Sequence, residues 1–116
     1  MTEEPDPPEV FATLDDEYAR EILVATKTDR LSAKELSEEC DISRPTVSRR
    51  VSHLVKQGFL EEYTHVDPGG RHYSEYEAVL ERIEVLLQAE GFDIQINVRP
   101  DPADRITTIF EEMRGD

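Results

Sequence analysis

The positive charges best placed for chemistry lie in one segment of the sequence, residues 42–60. This segment contains no aspartate or glutamate, although the whole chain has 27 of them and a formal net charge of −14. Its cations are Arg44, Arg49, Arg50 and Lys56. Guanidinium and ammonium groups kept apart from carboxylates suit the binding of a polyanion, and nucleic acid is the longest polyanion in a cell. The segment therefore predicts a nucleic-acid-binding surface.

The residues between these cations predict a helix. Ser43 is a favourable N-cap, and Pro45 is tolerated in a first turn because the amide that it lacks is not needed there. Val47, Val51 and Leu54 recur at helical spacing, so they form an apolar stripe that faces a core. The cations and small polar residues then lie on the opposite face of the same helix.

A shorter helix is predicted directly upstream, over residues 31–40, where Ser32 and Glu35 have capping-box spacing. Only residues 41–43 separate the two helices, which is enough for a tight turn and nothing more. This is the layout of a helix-turn-helix, whose second helix lies in the DNA major groove. Gly58 would end that second helix in a left-handed conformation.

A β-hairpin is predicted after the second helix. Residues 60–66 and 71–76 have the tyrosine, threonine and valine content of strands, and the Asp-Pro-Gly-Gly sequence at 67–70 predicts the turn between them. A hairpin at this position is the wing of a winged helix. Arg71 would lie near the wing tip, within reach of backbone phosphate.

Residues 78–90 allow two interpretations. A helix fits the apolar spacing from Tyr76 to Leu87 and the capping-box spacing of Ser74 and Glu77, whereas residues 83–87 also alternate as in a strand. The run 92–98 alternates strictly and needs a partner strand. We therefore prefer a second hairpin, formed by residues 82–88 and 92–99.

A final helix is predicted from Asp101 and Pro102, with its apolar face at Ile106, Ile109, Phe110 and Met113. This face would pack on the second hairpin, on a second copy of the chain, or on both. Because winged-helix proteins commonly bind paired half-sites as dimers, we expect residues 78–116 to build a homodimer. A closed monomer is the alternative.

The predicted fold class is α+β, a winged helix-turn-helix with a C-terminal β-hairpin plus helix extension. Residues 1–9 are rich in proline and acid and predict a disordered acidic tail. Residues 10–77 are the predicted winged helix-turn-helix domain, which begins with a supporting helix from Val10 to about Thr28, and residues 78–116 are the extension.

Composition limits the class of protein. Neither a membrane span nor a signal peptide is indicated, so we expect a cytoplasmic protein with one domain. The single cysteine, Cys40, excludes an intrachain disulfide and a multi-thiolate zinc site.

Only three of the 13 basic residues are lysine. An acidic surface with few lysines favours a salt-adapted organism, in which screening acts over about 3 Å at 1 M salt; an ordinary acidic protein is the alternative.

Several segments resemble those of ArsR-like winged helix-turn-helix transcription regulators. The helical segments that carry the resemblance are residues 10–23, 32–36, 43–51 and 54–60, and residues 67–77 and 101–105 resemble a haloarchaeal branch of that group. The resemblance covers roughly residues 10–114, and it implies a dimeric regulator that binds promoter DNA. It also favours the second hairpin.

The metal-binding property of some members of that family does not carry over. Metal-sensing members use paired cysteines or clusters of His, Asp and Glu on terminal helices, and this chain has neither. His65 and His72 could approach each other across the wing, but two partly exposed histidines make a poor metal site without further ligands.

Arg49 is the first candidate for reading a base, because a guanidinium can bridge O6 and N7 of guanine. We expect Arg44 and Thr46 to reach a base or a phosphate. For Arg50, an intramolecular pair with a nearby acid is an equally good interpretation. The full set of candidate DNA-binding residues is Arg44, Pro45, Thr46, Ser48, Arg49, Arg50, Ser52, His53, Lys56 and Arg71.

We expect no enzyme, no metal and no cofactor, because no catalytic constellation and no phosphate-cradling glycine loop appears. The leading hypothesis is a sequence-specific DNA-binding transcription regulator. A winged helix that contacts another protein without binding DNA is its rival, since winged helices are reused in this way. A third hypothesis is a sensor with a small ligand in residues 78–116.

Overall fold

The computed structural model describes residues 6–100. It has four helices, α1 (Pro7–Asp15), α2 (Glu17–Thr28), α3 (Ala33–Cys40) and α4 (Arg44–Lys56). Its strands are β1 (Leu31–Ser32), β2 (Leu60–Val66), β3 (His72–Ala78), β4 (Leu80–Gln88) and β5 (Gly91–Val98). The α+β winged helix-turn-helix with a C-terminal hairpin is confirmed. The helix predicted from Asp101 lies outside the described residues.

The supporting helix differs from its prediction, because it is two helices that meet at Asp16. The backbone of Asp16 is extended (φ −81°, ψ 114°), and its Oδ1 accepts a hydrogen bond from the amide of Ala19 at 3.0 Å. Asp16 therefore caps α2 and ends α1.

The first helix also begins at Pro7, so residues 7–9 lie in a helix and not in the predicted tail. Two prolines in a first turn explain this early start.

The helix-turn-helix has the predicted caps. The hydroxyl of Ser32 accepts from the amide of Glu35 at 3.2 Å, and the carboxylate of Glu35 accepts from the amide of Ser32 at 2.9 Å. Ser43 caps α4, accepting from the amide of Thr46 at 3.4 Å. Between the helices, Ile42 is buried. The turn is therefore fixed by the Ser43 cap of α4 and by the buried side chain of Ile42, while the capping box of Ser32 and Glu35 fixes the other end of α3.

The core is organised by the apolar stripe of α4. Val47, Val51 and Leu54 are at most 2 % exposed, and each such burial contributes roughly 1.5–3 kcal/mol. They pack in one cluster with Ala19, Ile22, Leu31, Leu36, Ile42, Phe59, Leu60 and Ala78. Because this stripe faces the core, the opposite face of α4 must face outward.

The wing is a three-stranded antiparallel sheet in the order β1-β3-β2. Strands β2 and β3 pair in continuous register from Leu60 with Ala78 to Val66 with His72. In the turn between them, the side chain of Asp67 accepts from the amide of Arg71 at 2.9 Å, and Gly70 adopts φ +83°. The turn therefore uses the predicted Asp-Pro-Gly-Gly chemistry to place Arg71 beside the wing tip.

The C-terminal hairpin settles the ambiguity of residues 78–90 in favour of strand. A bulge lies between Leu80 and Arg82, and it brings Leu80 onto the same face as the alternating residues that follow. That face is apolar throughout and is called the apolar hairpin face below. Its members are Leu80, Ile83, Val85, Leu87, Phe92, Ile94, Ile96 and Val98.

A polar cluster joins the wing to the end of β5. Arg99 donates to the carboxylate of Glu77 at 3.1 Å, and Arg30 lies 3.5 Å from the same oxygen. The Arg30 guanidinium also stacks 3.6 Å from the ring centre of Tyr63, whose hydroxyl donates to Glu61 at 2.5 Å. The hydrogen bond from Arg99, together with the charges of Arg99 and Arg30, holds the pKa of Glu77 below its usual value.

This cluster predicts a specific pH dependence of stability. Because the pKa of Glu77 is lower in the folded chain than the roughly 4.3 of an unfolded glutamate, its ionised form stabilises the fold above that pH. The contribution is lost as the pH falls through the folded-state pKa. We expect Glu77→Gln to lower the free energy of unfolding by about 1 kcal/mol at pH 7 and to lose this effect in acid.

Urea unfolding of the wild type and the variant from pH 7 to pH 3 measures the effect. Glu90→Gln, in the exposed turn of the second hairpin, is the control and should show no such difference. A Glu77→Gln effect of equal size at both ends of the pH range would contradict the assignment.

Candidate nucleic-acid interface

The outward face of α4 carries most of the predicted contact residues. The side chains of Arg44, Pro45, Ser48, Arg49, Ser52 and Lys56 are exposed, and Thr46 is half-buried among them. None of the seven is an acid, and the face is continuous because it lies opposite the buried stripe. The structure thus brings seven of the ten candidate residues onto one surface.

Arg49 is oriented by its neighbour one turn back along the helix. Its Nη2 donates to the hydroxyl of Thr46 at 3.3 Å, and Ser43 donates to the same hydroxyl at 2.9 Å. Within residues 6–100, neither Arg49 nor Arg44 forms an ion pair with a carboxylate. Both guanidinium groups therefore keep their hydrogen-bonding capacity for a ligand.

Arg50 and His53 lie elsewhere, against the first two helices. The Nε of Arg50 is 2.7 Å from Oδ2 of Asp16, in the geometry of an ion pair and not of a linear hydrogen bond. Its guanidinium also lies 5.8 Å from the ring centre of Tyr18. His53 is 3.8 Å from the carboxylate of Glu9. These contacts hold α4 to the supporting helices. Arg50 thus pairs with an acid of the same chain, which was the second interpretation of this residue.

A concave surface between the helix-turn-helix and the wing collects further positive charge. It has a volume of about 660 Å³ and contains the cations Lys34, Arg44 and Arg71, which come from the first turns of α3 and α4 and from the wing. None of the nine described residues that line it is an acid. We call it the basic groove, and its members are Ser32, Ala33, Lys34, Arg44, Arg71, His72, Tyr73, Ser74 and Tyr76.

Lys34 is a member of the groove that the sequence analysis did not select. Three acids follow it within five residues, at Glu35, Glu38 and Glu39, so it does not lie in an acid-free segment. The fold separates these groups, because Lys34 lies in the first turn of α3 and the groove passes that turn. The helix-turn-helix layout itself was the usable signal, since its first helix crosses the DNA backbone.

The wing histidines do not form a pair. His65 is 2.8 Å from the carboxylate of Glu75 and stacks on Tyr73, with ring centres 5.1 Å apart. Tyr73 pairs with His65 across the strands, so the adjacent His72 projects from the opposite face of the sheet. The expectation that the two histidines could approach each other is wrong. Among residues 6–100, no group of three or more potential ligands is placed to hold a metal ion.

Cys40 is a half-buried thiol beside two acids. Burial, with the charges of Glu21 and Glu39, raises the pKa of the thiol. A raised pKa disfavours the thiolate, which is the reactive form. Cys40 therefore takes the place of a small apolar side chain at the edge of the core.

Comparison with known families identifies the domain that carries the outward face of α4. Residues 14–63 match the model of a helix-turn-helix domain family. The match covers α2, α3 and α4 and enters the wing, and it concerns helix-turn-helix domains in general. No curated protein matches the chain significantly. In the described part of the chain, no helix has the length and apolar character needed to cross a membrane. The matched segment is thus similar to helix-turn-helix domains.

Proposed function

We propose that the protein is a sequence-specific transcription regulator that places α4 in the DNA major groove and the wing, residues 60–76, on the adjacent backbone. The observation that carries the proposal is the continuous acid-free surface made by the outward face of α4 and the basic groove. A chain with a net charge of −14 repels DNA over most of its surface. This one surface is suited to bind it.

The proposed roles follow from position on that surface. Arg49 reads a base, because its exposed guanidinium projects from the middle of the helix and is oriented by Thr46. Arg44, Lys34 and Arg71 contact phosphates, since they line one concave path from α3 to the wing. Arg50 and His53 act indirectly, by holding α4 against α1 and α2.

The remaining details of the proposal concern the assembly and the cell. Residues 78–116 build a homodimer, so that two copies of α4 meet paired half-sites. The relation to ArsR-like regulators and the origin in a salt-adapted archaeon rest on the sequence resemblance and on the scarcity of lysine. In concentrated salt, counterion release contributes less to binding. Base contacts such as that of Arg49 then carry a larger share of the affinity.

Genome-wide DNA occupancy in the native host tests the proposal. The wild type is compared with Arg49→Ala at matched protein levels, and Arg82→Ala, an exposed arginine that pairs with Glu84 on the hairpin, is the control. We expect discrete promoter peaks for the wild type and the control. Losing the Arg49 contact should cost about 1–3 kcal/mol at the operator, which removes most of those peaks.

Two outcomes would contradict this function. If the wild type gives no discrete peaks, DNA is not the ligand of α4, and the winged helix becomes a surface for another protein. If the peaks persist unchanged in Arg49→Ala, the protein binds DNA but this arginine does not read the sequence.

A further inference from the structure

The apolar hairpin face is partly covered near its base and exposed towards its turn. Near the base of the hairpin, Ile83 and Ile96 pack against the core and Ile94 is 6 % exposed, while Val98 in the last pair is 44 % exposed within residues 6–100. Towards the hairpin turn, Leu87 is 77 % exposed and Phe92 is 55 % exposed within residues 6–100. Among the described residues, Phe11 approaches Phe92 edge-on at that end, with ring centres 5.9 Å apart.

This exposure of apolar side chains is unfavourable for the stability of the C-terminal hairpin. A hairpin of two strands is marginally stable in water unless a further layer packs on its apolar face. Here the body of the domain supplies that layer over half of the face. The other half, around Val85, Leu87 and Phe92, requires a second cover.

We propose that the cover is the chain's own C-terminal segment, residues 101–116, packed along the hairpin within the same molecule. The described chain ends at the right place for this. The amide of Arg99 donates to the carbonyl of Val79 at 2.7 Å, so the segment starts at the base of the hairpin, next to β4. Its apolar residues at helical spacing are Ile106, Ile109, Phe110 and Met113.

The predicted helix of the C-terminal segment and the apolar hairpin face have similar lengths. A helix rises about 1.5 Å per residue, so Ile106 lies roughly 9 Å and Met113 roughly 20 Å beyond Pro100. A strand rises about 3.4 Å per residue, so Ile94 lies roughly 14 Å and Phe92 roughly 20 Å from Val98. The end of the stripe at Met113 thus comes level with the exposed Phe92, whereas Ile106 comes level with the covered residues nearer the base.

Tethering favours this occupant over a second copy of the chain. A segment joined directly to the base of the hairpin acts at a millimolar effective concentration. A free copy would need a comparable concentration to compete. A homodimer can still form on the outer side of the covered hairpin.

Paramagnetic broadening in the full chain tests the inference without using DNA, so its result is independent of the proposed function. A nitroxide is attached at Glu112→Cys, which lies beside the predicted apolar stripe, in a Cys40→Ser background, and the methyl signals of Val85 and Leu87 are observed. We expect strong broadening of both signals. A mixed sample, in which isotope-labelled chains lack the nitroxide and unlabelled chains carry it, should show much weaker broadening, because the partner of a homodimer lies on the outer side of the covered hairpin.

Matched variants of the segment supply the second readout. Phe110→Asp places a charge in the apolar stripe, whereas Thr108→Asp places the same charge on the opposite side of the predicted helix. We expect Phe110→Asp to abolish the broadening and to speed amide exchange in β4 and β5 at least about tenfold, since losing one buried phenylalanine exceeds the free energy of that factor. Thr108→Asp should change neither.

Two results would overturn the inference. If Val85 and Leu87 show no broadening in the singly labelled chain, the segment does not cover the face. If the broadening in the mixed sample is as strong as in the singly labelled chain, the cover comes from another copy.

Discussion

Replacing Phe59 by alanine is expected to lower the free energy of unfolding by about 3–5 kcal/mol, the range for truncating a buried aromatic side chain. Phe59 is 1 % exposed and follows Gly58, whose φ of +83° turns the chain out of α4. Its amide donates to the carbonyl of Leu54, and its carbonyl accepts from Val79 and Leu80. Helix α4, the wing and the C-terminal hairpin therefore all meet at this residue.

Urea unfolding followed by circular dichroism measures this loss. Val66→Ala is the control, because Val66 is 61 % exposed at the wing tip and its truncation should change stability by less than about 0.5 kcal/mol. A small effect of Phe59→Ala would show that the domain can repack around the cavity, and that the meeting point of the three elements is not the centre of the core.

Reversing the charges of the basic groove is expected to weaken DNA binding regardless of sequence. If Lys34 and Arg71 each contact one phosphate as proposed, Lys34→Glu and Arg71→Glu should each lower the slope of log affinity against log salt by about 0.9. The double variant should lose roughly a hundredfold in affinity at low salt. Folding should be preserved, since an acid in the first turn of α3 suits the helix dipole and Arg71 is exposed.

The measurement is a salt titration of binding to an operator fragment and to unrelated DNA of equal length. Lys27→Glu, at the end of α2 and outside the groove, is the control and should leave the slope unchanged. A loss confined to the operator would assign the groove to base reading. An unchanged slope would remove the groove from the interface.

Local chemistry made much of the fold predictable. Caps, turns and helix stops depend on a few neighbouring residues, so the capping box of Ser32 and Glu35 and the turn at Asp67–Gly70 were readable from the sequence. The apolar stripe of α4 was readable for the same reason, because helical spacing fixes which side chains share a face. These features together determined the helix-turn-helix, the wing and the outward position of Arg44 and Arg49.

Long-range packing decided what local patterns left open. Residues 78–90 fitted both helix and strand, and pairing with β5 made them strand because the alternating residues of β5 required a partner. The supporting helix was predicted as continuous because its apolar spacing continues past residue 16. The hydrogen bond that the side chain of Asp16 accepts from the amide of Ala19 divides this helix in two. The ion pair between Asp16 and Arg50 holds the point of division against α4.

The candidate surface shows the same distinction. The sequence by itself determined which cations are free of acidic neighbours along the chain, and so it selected the residues of α4. Only the tertiary structure decided which cations share a surface in space: it adds Lys34, brings it beside Arg44 and Arg71, and turns Arg50 and His53 towards α1 and α2. The physical reason is that charges act through space, over distances of several ångströms, and sequence separation does not fix those distances.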